Sequence, residues 1–146
     1  MFSDQWIQAR MKFGMHAAAV GIATAAMLGV STLPAAAAGP TSCPSSGNID
    51  SWSKCSSLGN GVLFISTTKT GNYVMVNYYR ASGSALTAKL GWERSGVNHW
   101  WANRNMSTVP LHYDEQAGIS ASCAVIIGKL LTTGGSSYST PPVDPC

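Results

Sequence analysis

The residues best suited to binding chemistry are aromatic, and five of them fall within a short stretch of the chain. They are Trp92, His99, Trp100, Trp101 and Tyr113. Their rings present apolar faces that stack on sugars and anchor protein partners, and Asn98 and Asn103 supply polar groups beside them. Because neighbouring residues of a strand point to opposite faces, we expect one of the two consecutive tryptophans to be exposed. The pattern predicts a binding surface, with burial in the core as the competing interpretation.

The chain lacks the spacings that catalytic sites require. The nearest approach to a G-x-S-x-G nucleophile elbow, residues 118–122, has serine where the second glycine should stand. Neither an H-E-x-x-H motif nor a phosphate-cradling glycine loop occurs. Asp114 and Glu115 are adjacent in a predicted turn, so their side chains should diverge instead of facing each other as in a glycosidase. The sequence therefore predicts a protein that is not an enzyme and needs no cofactor.

Four cysteines, Cys43, Cys55, Cys123 and Cys146, are predicted to form two disulfides. An even number of cysteines in an exported chain is typical of a disulfide framework, whereas zinc sites need close C-x₂-C pairs that this sequence lacks. We therefore expect no metal site. Four cysteines allow three connectivities, of which we favour the local pairs Cys43–Cys55 and Cys123–Cys146. Each bridge would add roughly 3 kcal/mol of stability in the chain-entropy model.

Residues 1–38 have the features of a secretory signal peptide. A basic region precedes a long apolar run, and Ala36 and Ala38 satisfy the small-residue rule for cleavage before Gly39. A second methionine, followed by lysine, would itself make a conventional start, so residues 1–10 are interpreted either as an upstream extension or as the result of a misplaced start codon. The rest of the chain contains no apolar run long enough to cross a bilayer. We therefore expect a secreted, extracellular protein with no membrane span after signal cleavage.

Composition restricts both the fold and the partners. Only 10% of the 146 residues are charged, 45% are hydrophobic, and the formal net charge is +3. This balance excludes intrinsic disorder and provides no focused basic patch, so we expect no nucleic-acid partner. The length is that of about one domain. The Ala-rich leader and the Ser/Thr/Gly-rich remainder resemble small, disulfide-bonded, secreted β-proteins of high-GC Gram-positive bacteria.

Alternation of apolar and polar residues between turn residues predicts strands and no helix. The expected strands are Gly61–Thr67, Asn72–Arg80, Leu86–Glu93, Asn105–Tyr113 and Ile119–Leu131. Between them we expect a Trp-bearing loop at 94–104 and a turn at 114–118. Residues 39–58 are predicted to be an irregular, disulfide-bearing segment, and residues 59–146 a β-domain ending in a Pro/Gly/Ser-rich tail. The predicted fold class is all-β, a small antiparallel β-sandwich or open barrel of about five or six strands.

Two functions of different classes fit these observations. The first is a secreted, non-enzymatic binding or adaptor module that captures an extracellular protein or a carbohydrate through the aromatic loop or a β-strand edge. Its N-terminal segment, Gly39–Leu58, could serve as a strap for strand exchange or could pack on its own domain. The second is a secreted antagonistic polypeptide: a bacteriocin-like toxin, a toxin-complex subunit, or a protease inhibitor whose contact loop would lie in Thr132–Thr140.

Overall fold

A computed structural model describes residues 39–146, which form two antiparallel β-sheets and no helix. The predicted signal peptide, residues 1–38, lies outside the described residues. In chain order the strands are β1 (Asn48–Asp50), β2 (Ser53–Leu58), β3 (Gly61–Thr67), β4 (Tyr73–Arg80), β5 (Thr87–Arg94), β6 (Val97–Trp100), β7 (Arg104–Asn105), β8 (Leu111–Gly118), β9 (Ile126–Thr132) and β10 (Ser137–Ser139). No membrane-crossing helix occurs in this part of the chain.

The two sheets pack face to face as a β-sandwich. Sheet A has the strand order β1-β2-β3-β4-β8, and sheet B has the order β10-β9-β5-β6, with β7 pairing with the start of β5. The predicted all-β class is confirmed, although the structure has ten strands where the sequence suggested five or six. Four of the ten (β1, β6, β7 and β10) are two to four residues long. Strands of that length are too short for hydrophobic periodicity to reveal.

The core lies between the sheets and consists of inward-facing residues of the long strands. Its members include Leu63, Ile65, Val74, Val76 and Tyr78 from sheet A and Ala88, Leu90, Ile126 and Leu130 from sheet B. The period-two alternation of β5 does bury one face, as predicted, with Ala88 and Leu90 inside. Each fully buried aliphatic side chain stabilises the sandwich by about 1.5–3 kcal/mol.

Residues 94–104 are the first segment that differs from the prediction. The structure has the short strand β6 here, folded back alongside β5, where the sequence suggested a loop. Ser95 and Gly96 both take positive φ, 52° and 79°, which is the conformation that a tight two-residue hairpin turn requires. This Ser-Gly pair is the sequence signal that the loop interpretation missed.

The boundaries predicted around residues 105–118 are also wrong. The chain leaves sheet B at Asn105, and β8 then runs from Leu111 to Gly118 in sheet A, through the segment predicted to be a turn. Asp114 and Glu115 are accommodated there because β8 is the edge strand of sheet A, where charged residues are well tolerated.

Two further segments depart from their predicted form. Residues 119–125 are not in a strand, because β8 and β9 belong to different sheets and the chain must cross between them; Val125 is consequently 46% exposed. Residues 39–58, predicted to be irregular, contain β1 and β2, and β2 pairs with β3 along its whole length. The many serines of β2 lower its apparent β-propensity, which concealed it.

Both predicted disulfides are present in the favoured connectivity, Cys43–Cys55 and Cys123–Cys146, and none of the four cysteines is free. The first bridge holds the N-terminal segment against the outer face of sheet A. A second apolar cluster lies there, containing Cys55, Val62, Phe64 and Met75, and Cys43 packs on it. Of the two roles considered for the N-terminal segment, the structure shows the second: it packs on its own domain.

Arg80 is a buried cation at the end of β4, only 1% exposed. Its guanidinium donates from Nη1 to the Met106 carbonyl and from Nη2 to the Ser84 carbonyl. The ion pairs within residues 39–146 join Arg104 to Glu115 and Lys129 to Glu93, so no carboxylate neutralises Arg80. Arg80 therefore connects two of the segments that cross between the sheets.

Tyr78 lies beside Arg80 on the inner face of β4. Its hydroxyl donates to Oδ1 of Asn60 at 2.7 Å. Burial raises the pKa of Tyr78 above its ordinary value, an effect that the nearby Arg80 charge opposes in part. The folded protein thus favours the neutral phenol.

Candidate functional site

Three of the five aromatic residues predicted to bind come together in one stack. His99 lies opposite Trp92 in the β5–β6 hairpin, and their rings stack with centroids 4.7 Å apart and planes 12° apart. Trp101 follows β6, its backbone N–H donates to the Leu90 carbonyl, and its ring lies 4.7 Å from that of Trp92. Trp92 and Trp101 pack against the core, whereas His99 is exposed. The two indoles therefore support an imidazole that faces solvent.

Trp100 lies on the opposite face of sheet B. It pairs with Gly91, and its ring covers that glycine so closely that a Cβ there would come within 2.5 Å of the indole. The Lys89 ammonium lies 5.1 Å from the ring centroid, an arrangement that allows a cation–π interaction. The consecutive tryptophans thus point in opposite directions, as expected, but each is partly buried.

Tyr113 does not belong to the aromatic stack. It is 5% exposed, lies opposite Tyr78 in sheet A, and donates its hydroxyl to the Thr108 carbonyl at 2.8 Å. The sequence-based grouping was wrong because β8 belongs to sheet A, whereas β5 and β6 belong to sheet B. Tyr113 is therefore a core residue.

The aromatic stack borders a cleft of about 710 Å³. The cleft lies where the β5–β6 hairpin of sheet B faces the C-terminal end of β8 in sheet A. Its lining residues are Asn72, Trp92, Arg94, His99, Gly118, Ile119 and Ser120. Four of these, Asn72, Arg94, Gly118 and Ser120, contribute polar groups, so the cleft combines aromatic faces with hydrogen-bonding groups.

Arg94 is the charged residue of this cleft, and sequence reasoning did not identify it. It ends β5, directly before the Ser95–Gly96 turn, and its guanidinium extends from sheet B to two backbone carbonyls on the other side. Nη1 donates to Ser120 O at 2.7 Å and Nη2 to Gly71 O at 2.6 Å. Its Nε is buried without a partner. Two short, charge-assisted hydrogen bonds fix this cation in position.

The edge of β8 beside the cleft leaves backbone groups unpaired. In an antiparallel ladder, residue pairs that share hydrogen bonds alternate with pairs that share none. Ile119 donates its N–H to Asn72 O, so the neighbouring pair, Tyr73 and Gly118, shares no hydrogen bonds. The even-numbered residues of β8 consequently direct their N–H and C=O groups away from β4. Arg104 uses one of them, donating to the carbonyl of Asp114 at 2.9 Å. Gly118 adds no side chain to cover its backbone at the cleft.

The other candidate features do not assemble into a site. Within residues 39–146 no group of three or more His, Cys, Asp or Glu side chains could hold a metal ion. Asp114 and Glu115, consecutive in β8, point to opposite faces, and Glu115 pairs with Arg104 at 3.1 Å. Thr132–Thr140, the suggested inhibitor loop, is largely the β9–β10 hairpin, closed by a tight turn in which the Gly135 N–H donates to Thr132 O.

Comparison of the chain with models of protein families, with curated proteins and with solved structures finds no match. The geometry of the cleft is therefore the basis on which a function can be assigned.

Proposed function

We propose that the protein is a secreted, non-enzymatic binding module whose ligand occupies the cleft beside His99. One observation carries this proposal: a fixed guanidinium and an exposed imidazole, supported by two tryptophans, line the same cavity of about 710 Å³. Small-molecule sites are typically concave, about 300–1,000 Å³ in volume, with aromatic walls and a few placed polar groups. The two disulfides support an oxidising, extracellular compartment.

The composition of the cleft supports binding without catalysis. None of its seven lining residues is a carboxylate, whereas hydrolysis of a glycosidic bond by the usual route needs two facing carboxyl groups. The adjacent acids of β8 are separated by the sheet itself, because consecutive strand residues point to opposite faces.

The open edge of β8 supports a second kind of contact in the same region. An extended partner segment could form main-chain hydrogen bonds with the outward-facing backbone of Gln116 and Gly118. The Arg104 side chain already occupies the Asp114 carbonyl, so such pairing would be confined to the half of β8 that borders the cleft. Strand addition would therefore extend the cleft and not form a separate site.

An NMR titration tests the proposal. A panel of neutral and acidic oligosaccharides and extended peptides is added to the isotope-labelled protein, and the ligand is expected to shift the resonances of His99 and Trp92. The His99→Ala variant should bind that ligand about tenfold more weakly with little change in melting temperature, because its ring is exposed. Trp100→Ala is the matched control from the opposite face and should bind normally. Shifts confined to Trp100, or no binding at all, would contradict the proposal.

The antagonist class is the second candidate, and the rigid β9–β10 hairpin is the feature that favours it. The hairpin tip, residues 133–136, is exposed. It is closed by backbone hydrogen bonds between Thr132 and Ser136 and from Gly135 to Thr132, and the Ser136 N–H also donates to the Thr132 hydroxyl. Growth-inhibition and protease-inhibition panels with residues 39–146 test this function. Negative results in both panels would eliminate it.

A further inference from the structure

We infer that the ligand of the cleft is an acidic sugar: a pyranose ring that carries a carboxylate, as in the uronate units of an acidic polysaccharide. This inference rests on the proposed binding function and specifies its ligand. Three properties of the cleft lead to it, namely an uncompensated positive charge, an aromatic surface of the right kind, and polar groups that complement hydroxyls.

The charge of the cleft comes from Arg94. None of the lining residues is acidic, and the ion pairs within residues 39–146 involve other side chains. Two N–H groups of the guanidinium bind the carbonyls of Ser120 and Gly71, which carry only partial charge, so its full positive charge is not neutralised. A guanidinium has five N–H donors, and the terminal nitrogens each retain one. A ligand carboxylate would supply the missing negative charge and accept these donors.

The aromatic surface is the outer face of His99. Trp92 covers the inner face of the imidazole at 4.7 Å and nearly parallel, so the ring is held flat and its other side is open to solvent. A supported flat ring of this kind packs well against the C–H face of a pyranose. Binding should cost little side-chain entropy at His99, because its stack on Trp92, which Trp101 supports, already fixes the imidazole ring before a ligand arrives.

The remaining polar groups favour a sugar over an aromatic acid. Asn72 and Gly118 line the cleft. The Asn72 Oδ1 already accepts a hydrogen bond from the Thr68 hydroxyl, which leaves the amide NH₂ as a donor, and the outward-facing N–H and C=O of Gly118 provide a donor and an acceptor. Sugar hydroxyls also donate and accept, so they can satisfy these groups. An aromatic acid, which has a carboxylate and a ring but no hydroxyls, would leave them without partners when it displaced their water.

The outer face of sheet B has similar residue types but differs in one respect. Its cations are already engaged, since Lys89 lies over the Trp100 ring and Lys129 pairs with Glu93 at 2.7 Å. Of these two aromatic surfaces, the cleft is therefore the one whose cation has neither a carboxylate nor an aromatic ring as its partner. This contrast also provides a control: a cation beside a tryptophan that should not bind the acidic sugar.

The test compares two forms of one ligand by calorimetry. Trigalacturonate is titrated into residues 39–146, and its methyl ester, which has the same rings without the negative charges, is titrated in parallel. We expect the acid to bind at least about tenfold more tightly than the ester, since the ester loses the charge-assisted contacts. The Arg94→Gln variant should reduce this ratio to near one, Arg94→Lys should give an intermediate ratio, and Lys89→Gln should preserve it.

The outcomes separate this inference from the proposed function. Equal binding of acid and ester by the unaltered protein would overturn the acidic-sugar inference, and binding that still depended on His99 would leave the proposed function in place. Binding of neither sugar, with a peptide bound at the cleft instead, would also reject the inference alone. Absence of any ligand for the cleft would reject both. Because the comparison of the two ligands uses the unaltered protein, it remains decisive even if Arg94→Gln is unstable.

Discussion

Replacing Arg80 with alanine should destabilise the protein more than most single substitutions. The guanidinium is 1% exposed and donates to the carbonyls of Met106 and Ser84, which are on segments that connect the two sheets. Removing it leaves both carbonyls without these donors and opens a cavity beside Tyr78. No carboxylate is left unpaired, because none neutralises Arg80 in the folded state.

The expected loss follows from these contacts. A hydrogen bond from a charged group contributes about 1.5–3 kcal/mol, so two of them would give about 3–6 kcal/mol before correction. Relief of the desolvation penalty of the buried charge lowers the figure, and the cavity raises it. We therefore expect Arg80→Ala to lower the free energy of unfolding by about 3–5 kcal/mol, a large part of a typical total of about 5–15 kcal/mol.

Urea denaturation followed by circular dichroism measures this loss. Arg80→Lys should lose about half as much, because a single ammonium replaces the two-pronged guanidinium. Arg104→Ala is the matched control: the side chains of Arg104 and Glu115 are both partly exposed, so the loss of their ion pair should cost no more than about 1 kcal/mol. If Arg80→Ala were as stable as the unaltered protein to within about 0.5 kcal/mol, the buried cation would not be stabilising the connections between the sheets.

Three further predictions concern stability. Reducing both disulfides should cost about 3 kcal/mol per bridge and lower the melting temperature markedly, and an unchanged melting curve in reductant would contradict the loop-closure argument. Gly61→Ala should cost about 2–4 kcal/mol in a denaturation experiment, because its Cβ would lie 2.0 Å from the Tyr79 carbonyl oxygen, whereas Gly59→Ala, with open space around it, should be nearly neutral. Burial raises the pKa of Tyr78, so the neutral phenol should contribute its full share of the free energy of unfolding below about pH 10, the pKa of tyrosine in the unfolded chain. That share should be lost as the pH rises through the pKa of the folded protein, with a slope of up to about 1.4 kcal/mol per pH unit. A Tyr78→Phe variant that kept the same alkaline slope would refute this prediction.

Sequence reasoning predicted best the elements that carry strong local signals. The limits of β3 agree with the predicted strand, since Gly61 and Thr67 bound a continuous run of β-forming residues. The disulfide pairs were predicted because the cysteines fall into two sequence neighbourhoods. Alternation in β5 correctly indicated which face is buried.

Segments whose structure depends on which of the two sheets their neighbouring strands join were less predictable. Ile119 and Val125 continue an apolar alternation, but the chain crosses between sheets there, and nothing local to the sequence marks a crossing. The candidate site shows the same limit. The sequence indicated Trp92, His99 and Trp101, whereas Arg94 and Gly118 join them only because the ends of two strands in opposite sheets face each other.

The positions of the disulfides have a consequence for how the chain reaches its fold. Each sheet depends on a pairing between residues far apart in the chain, Tyr73 with Gly118 in one and Ala88 with Thr132 in the other. The bridges instead close loops with sequence separations of only 12 and 23. Short loops close quickly, whereas distant strand pairing is slow, so the correct bridges can form before either sheet is complete. Oxidative folding of this chain should therefore proceed without reshuffling of disulfides. Its rate should be limited by the pairing of β4 with β8 and of β5 with β9, which completes the two sheets.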